Sequence, residues 1–329
     1  MTPLRLGLLA WPIERPASVA AFAAKLDNWL SQARGQAELC VLPEYACVEL
    51  GAALAGQTAL DEAPGEAAEL AAMVAQADDI LEAMCAAAIR AGIWLLPGSL
   101  PMRGAGGVVI NRAPLIAPDG RLAFQDKQAM TRFESERWGV SPGAPPAVFD
   151  TPWGRIGISL CYDVEFPKHV RAQVEAGAWL ILVPSCTDSR HGFARIRIGA
   201  AARALENQCF VAITPTVGLA PWSVALDENH GHPAIFAPPD GRFPESGVVA
   251  AGALDAPGWL FHTLDPDLIA HVRAHGAVRN HHDWPRRPVP PPQPAVFATP
   301  GASRPSLPVG GGRGLGEGRP ATCTPSPPP

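Results

Sequence analysis

The feature that most constrains this chain is a series of short apolar runs closed by proline, glycine or a polar residue. Leu4 to Ala10, Glu38 to Leu42, Ile93 to Pro97, Val108 to Ile116, Ile156 to Leu160, Trp179 to Val183 and Val211 to Thr214 form the series. Runs of this length and closure read as buried strands. Between several of them lie longer segments rich in Ala, Leu, Glu and Arg, with apolar residues at helical spacing: Ser18 to Arg34, Pro64 to Ala91, Pro167 to Ala176 and Ala194 to Asn207. Strand and helix alternate early and late. The middle puts two strands in succession around Asn111-Arg112-Ala113 and the turn signal Pro118-Asp119-Gly120. The pattern predicts a layered α/β fold with hairpins in a mixed sheet.

With 329 residues, 47% of them hydrophobic, the chain suits one large enzyme domain with a substantial core. A net charge of −5 gives no general attraction to nucleic acid or to acidic membranes, so neither is expected as a partner. The seven cysteines are scattered and include no C-x-x-C pair, which argues against a disulfide framework or a zinc site and for a reducing, cytoplasmic setting. The apolar start is broken by Trp11-Pro12-Ile13-Glu14-Arg15, too early for a membrane span or a good signal peptide. From residue 284 the composition changes: residues 285–329 hold 14 of the 37 prolines and the Gly-rich stretch from Gly310 to Gly318. Too few apolar side chains are present there to offset ordering entropy. Residues 1–283 are therefore expected to form the functional domain, and 284–329 a disordered tail.

Four places set a reactive residue at the end of an apolar run. Cys161 follows Ile156-Gly157-Ile158-Ser159-Leu160, where the strand-like run stops and turns polar. Open α/β sheets put their chemistry at such strand ends. Glu44 follows Val41-Leu42-Pro43, Lys127 follows Phe124-Gln125-Asp126, and Cys186 follows Val183-Pro184-Ser185. Strands ending at Glu44, Lys127 and Cys161 on one sheet edge would bring a base, a cation and a thiol together without a histidine. Taken singly, each has a plainer reading: a small core thiol, a cap carboxylate, a solvated turn charge. His230-Gly231-His232 and His281-His282 lack a third ligand at helical spacing, so no metal is expected. A papain-like pairing of Cys161 with His191 or His232 lacks the local context of that mechanism.

Pro43-Glu44, Lys127 and Cys161-Tyr162-Asp163-x-x-Phe166-Pro167, in that order, resemble the nitrilase superfamily of carbon–nitrogen hydrolases, whose members carry a Glu-Lys-Cys triad. Arg203 to Gln208 and Pro238-Pro239-Asp240-Gly241 are similar to two later motifs of that family, so the resemblance spans roughly residues 4–270. It implies a four-layer α-β-β-α sandwich and a face-to-face homodimer or higher homo-oligomer. It also implies Cys161 as nucleophile, Glu44 as general base and Lys127 as the thiolate and oxyanion partner, with the backbone N–H of Tyr162 as a second donor. A further glutamate is expected before the Pro142-Gly143 landmark: Glu136 by spacing, with Glu134 in reserve. Glu206 is expected to pair with Arg203, a structural role.

The implied activity is that of a thiol amidohydrolase cleaving a small carboxamide or N-carbamoyl compound through a Cys161 thioester, with no cofactor. A nitrile substrate and a catalytically silent binding module are the alternatives. Arg132, Arg190 and Arg195 are candidates for a bidentate contact to a substrate carboxylate, and Ser185 for a place in the substrate site. Lys127 to Trp138 resembles a branch in which this domain sometimes follows an acetyltransferase domain, a domain not expected in this sequence, whose first strand begins at Leu4.

Overall fold

The computed structural model describes residues 2–56, 65–284 and 292. Those up to Trp284 belong to one compact unit. The expectation for the tail lies outside the described residues apart from Trp284 and Pro292, as does Pro64 at the head of the second expected helix.

Two sheets make the frame. The first contains β1 (Leu4–Pro12), β2 (Leu39–Val41), β3 (Trp94–Leu96), β4 (Leu100–Arg103), β5 (Val109–Ile116), β6 (Leu122–Asp126) and β7 (Val140–Ser141). The second contains β8 (Val148–Thr151), β9 (Gly154–Ile158), β10 (Leu180–Ser185) and β11 (Phe210–Leu219), extended by β12 (Glu228–Asn229), β13 (Ala234–Phe236) and β14 (Val248–Ala251). A final strand, β15 (Gly258–Leu264), returns to the first sheet antiparallel to β1. Strand order is β4-β5-β3-β2-β1 in the first sheet and β11-β10-β9-β8 in the second. The sheets meet where Trp11 and Pro12 pair with Thr216 and Val217.

The unbroken apolar runs are explained by burial on both strand faces. Side chains alternate across a strand, so each run feeds two cores. Leu39 and Val41, Leu180 and Leu182, and Phe210 and Ala212 meet between the sheets. Cys40 faces the other way, into a core shared with Phe22, Leu26, Ile80 and Met84 of the helices α1 (Val19–Ala33) and α4 (Ala77–Ala91). The short helices α2 (Gly51–Leu54) and α3 (Glu66–Ala75) lie between these two in sequence. Ile181, Val183, Val211 and Ile213 pack on Val170, Val174, Ile196 and Ala200 of α5 (Pro167–Glu175) and α6 (Arg190–Asn207). The chain closes with α7 (Pro266–His275) and α8 (Asn280–Asp283). The result is the four-layer α-β-β-α sandwich.

Two helix boundaries differ from the sequence reading. The segment read as one helix from Pro64 to Ala91 is two, α3 and α4, parted at Gln76 (φ −105°, ψ 9°). The helix expected from Ala194 starts at Arg190, because the Ser189 side chain accepts the Gly192 N–H and caps the turn before it.

Candidate active site

The strands β2, β3 and β6 run one way, since β5 is antiparallel to both β3 and β6 while β2 and β3 are parallel. Their carboxyl ends therefore share an edge, where Glu44 stands three residues past the end of β2 and Lys127 immediately follows β6. The turn carrying Glu44 is tight: a Cβ at Gly98 (φ +87°) would lie 1.9 Å from the Pro43 carbonyl oxygen. Only glycine permits that approach.

Lys127 is a buried ammonium held between two buried carboxylates. Its Nζ donates to Glu44 Oε1 at 2.8 Å and to Glu134 Oε1 and Oε2 at 2.7 and 2.6 Å. Asn111, the third residue of β5, donates to Glu44 Oε1 at 2.9 Å and to Glu134 Oε1 at 3.4 Å. Tyr45 Oη donates to Glu134 Oε1 at 2.9 Å, and Thr131 donates to Glu134 Oε2 through both its N–H and its hydroxyl at 2.9 Å. Charges this deep persist only when paired and hydrogen-bonded.

The three groups differ in what burial does to them. Burial pushes the Glu44 carboxyl up to about 7, against the attraction of Lys127 and with help from the negative charge of Glu134. Burial also works against the Lys127 ammonium, but Glu134 and Glu44 outweigh it and hold the amine well above its ordinary value. Burial works against the Glu134 carboxylate too, and Lys127 wins, keeping Glu134 below the usual range. The arrangement is an ion pair, Lys127 with Glu134, beside a carboxyl that burial brings toward neutrality.

Cys161 opens a 3₁₀ turn (Cys161–Glu165) three residues past β9, with φ of +47°. A non-glycine residue there is strained, and such strain persists only where surrounding contacts hold it. Asp163 accepts the Ala129 N–H at 2.7 Å and the Gln128 N–H at 3.1 Å, tying the thiol turn to the segment after Lys127. From below, Arg203 on α6 donates to the Val164 carbonyl at 3.0 Å and forms an ion pair with Glu206 at 2.6 Å. Burial raises the Cys161 thiol well above its ordinary value, and the charge of Glu44 adds to this. At rest the residue is a thiol that needs a base.

These groups line a cavity of about 380 Å³ together with Tyr162, Cys186 and Thr187. The structure brings Glu44, Lys127, Cys161, Tyr162 and Glu134 to it. Two sequence expectations need correction. Glu136 points away: its side chain is 67% exposed and pairs with Arg132 at 4.0 Å. Glu134 holds the place beside Lys127 instead, because the π-type turn Phe133–Arg137 carries it inward. Ser185 is the last residue of β10, and its hydroxyl donates to the Val183 carbonyl rather than entering the cavity, which its neighbour Cys186 lines. Arg132 borders the cavity with a side chain 93% exposed, at the mouth rather than in the wall. Arg195, also at the mouth, bonds Glu165 at 3.2 Å, and Arg190 pairs with Asp255. Among the described residues, no group of three His, Cys, Asp or Glu side chains is placed to hold a metal ion.

Asn111, Thr131 and the Tyr45 hydroxyl escaped the sequence reading. Asn111 carried a signal, as a polar residue within an apolar run. The Pro142-Gly143 landmark also has a physical basis: Gly143 N donates to the Lys127 carbonyl at 3.0 Å, and a Cβ there would lie 2.2 Å from Asp126 Cβ.

The chain matches the carbon-nitrogen hydrolase family over residues 5–273 and belongs to it. It is 29% identical over 282 residues to a probable hydrolase of Bacillus subtilis, covering 85% of this chain and 53% of that protein, so it spans about half of that relative's length. An omega-amidase of Xenopus laevis is 28% identical over 67% of this chain and 74% of its own length. Among solved structures, a CN-hydrolase superfamily protein of Xanthomonas campestris superposes with a TM-score of 0.65 at 23% identity, covering 83% of this chain and 95% of that one. An amidase from Nesterenkonia sp. gives 0.63 at 24% identity, over 86% and 97%. These likenesses support the same four-layer fold. No helix among the described residues is long and apolar enough to cross a membrane.

Proposed function

We propose that this protein is a thiol amidohydrolase acting on a small carboxamide or N-carbamoyl compound through a thioester on Cys161. The observation that carries the reading is the buried Glu44–Lys127–Glu134 cluster, which shares one cavity with a thiol on a strained turn. Names of relatives, an omega-amidase and a deaminated glutathione amidase among them, favour an amide over a nitrile.

In this mechanism Glu44 takes the thiol proton as Cys161 attacks the amide carbon. The developing oxyanion is met by the Lys127 ammonium and by the backbone N–H of Tyr162, in the first turn of the 3₁₀ segment. One such donor is worth roughly 100-fold to 1,000-fold in rate. Glu44 then returns the proton to the departing amine or ammonia and activates the water that cleaves the thioester. Glu134 does not touch the reacting atoms; it keeps Lys127 charged and in position. Because Lys127 already supplies the cation, no cofactor takes part in these steps.

The same reading includes a cytoplasmic homodimer. Ile198 and Leu205, seven residues apart on α6 and 61% and 46% exposed, form an apolar stripe that suits self-association.

The test is ammonia release from a panel of small carboxamides, N-carbamoyl amino acids and nitriles, comparing the protein with Cys161→Ala. Release from amides that vanishes in the variant is the expected result; release unaffected by the substitution contradicts the mechanism.

A further inference from the structure

Two thiols open on the same cavity, and hydrolysis uses one of them. Cys186 stands one residue beyond β10, and β9 and β10 run parallel with Ile156 beside Leu180 and Ile158 beside Leu182. The ladder continues as Ser159 N donates to the Leu182 carbonyl at 2.9 Å. Both chains thus leave their strands side by side, and Cys161 Sγ donates to the backbone oxygen of Cys186 at 3.6 Å. Adjacent strands lie about 4.8 Å apart, and disulfides join residues whose Cα atoms are roughly 4.4–6.8 Å apart. The Cys186 thiol meets Asn229 Oδ1 at 3.6 Å and the Thr216 side chain, both contacts of a weak sulfur donor, so turning it toward Cys161 breaks no strong bond. Cys40, Cys47 and Cys209 are buried in the cores instead, away from the cavity wall.

We propose that Cys161 and Cys186 are a hydroperoxide-responsive redox pair, closing to a disulfide that switches the site off reversibly. In the first step Cys161 passes its proton to Glu44 and its sulfur attacks the terminal oxygen of a hydroperoxide. The S–O bond forms, the O–O bond breaks, and the alcohol or water leaves with the proton that Glu44 held. Cys161 is now a sulfenic acid, oxidised by two electrons, and the peroxide is reduced by two. In the second step the Cys186 sulfur attacks the Cys161 sulfur. The S–S bond forms, the S–O bond breaks, and hydroxide leaves with the Cys186 proton as water. Two equivalents of a small thiol, themselves oxidised to a disulfide, restore both cysteines. Without Cys186 the sulfenic acid goes on to sulfinic acid, which thiols do not reverse.

The inference rests on Cys161 being the reactive group of the cavity, as in the proposed hydrolase reading. The reduced full-length protein is treated with hydrogen peroxide, blocked with iodoacetamide and peptide-mapped by mass spectrometry. The expected product is a Cys161–Cys186 linked peptide lacking two hydrogens, lost on dithiothreitol treatment. In Cys186→Ser, sulfinic acid on Cys161 that dithiothreitol leaves in place is expected. Phenylarsine oxide, which bridges neighbouring thiols, should bind the reduced wild type in a form released by ethanedithiol but not by a monothiol. Sulfinic acid on wild-type Cys161 with no linkage to Cys186 overturns the proposal, as does arsenical release by monothiols. A protein that forms the linkage yet hydrolyses no amide sinks the hydrolase reading alone; one that hydrolyses amides without forming the linkage sinks this inference alone.

Discussion

Replacing Glu134 by Gln separates the two carboxylates that share Lys127. Both touch the same Nζ, Glu44 at 2.8 Å and Glu134 at 2.6 Å, so their bonding oxygens lie within about 5 Å of each other. Two unit charges at that distance repel by about 3 kcal/mol at an effective dielectric constant of 20, equivalent to about two pH units. The intervening ammonium offsets part of this, leaving an expected shift of at least about one unit. Glu44 sits near 7 partly because Glu134 is negative. Its base form is present above that value and lost as pH falls through it. Neutralising Glu134 lets Lys127 act on Glu44 alone, so the acid limb of the kcat/KM profile should move to lower pH. At the same time kcat should fall, because one Gln amide face cannot accept from Thr131 or Lys127 as the carboxylate oxygen does. The assay is the pH dependence of amide hydrolysis for wild type and Glu134→Gln, with thermal unfolding as a check on folding. An acid limb that stays in place, or moves upward, refutes the electrostatic coupling argued from the shared ammonium.

Lys127→Met should leave Glu44 and Glu134 buried without a cation. We expect a loss of about 3–5 kcal/mol in denaturant unfolding, with one carboxyl protonated and no measurable turnover; wild-type stability would contradict the buried ion pair. Gly143→Ala forces a Cβ into Asp126, whose carboxylate binds Arg112 at 2.7 Å and the Ala144 N–H at 3.0 Å, so a cost of about 1–3 kcal/mol and a sharp fall in kcat are expected. A second buried carboxyl, Glu49, is pushed up to about 7 by burial despite Lys25 at 2.8 Å. Its folded value is raised, so its contribution to stability is full below its unfolded value and is lost as pH rises toward about 7. Glu49→Gln should flatten that part of the stability profile between pH 5 and 7; an unchanged slope means that Glu49 does not titrate there.

What could be read from the residues, and what could not, follows from the range of the forces involved. Strand patterning is local, so the apolar runs Glu38 to Leu42, Trp179 to Val183 and Val211 to Thr214 announce buried strands, and the structure buries them on both faces. Ordered motifs then made Glu44, Lys127 and Cys161 visible as candidates. Which glutamate faces Lys127 was not legible from spacing, because the turn at Phe133–Arg137 is of π type, and its wider winding sends Glu134 inward and Glu136 to solvent. Asn111 was hidden for a different reason: its partners, Glu44 and Glu134, are 67 and 23 residues away. Ser185 and Cys186 differ by one position, and the pleat alone decides which of them meets the cavity. Short strands such as β7 and β12 are set by pairing with β5 and β11 rather than by their own composition.

The mechanism turns on a bond between substrate carbon and Cys161 sulfur, made with the help of Glu44. Acid quenching of the protein during turnover of a small carboxamide, followed by peptide mass spectrometry, reads that bond directly. An acyl group on the Cys161 peptide, absent from Cys161→Ala and not formed by Glu44→Gln, is the predicted result. Continued amide turnover with no acyl group on Cys161 at any quench time, and equal turnover by Cys161→Ala, would contradict it.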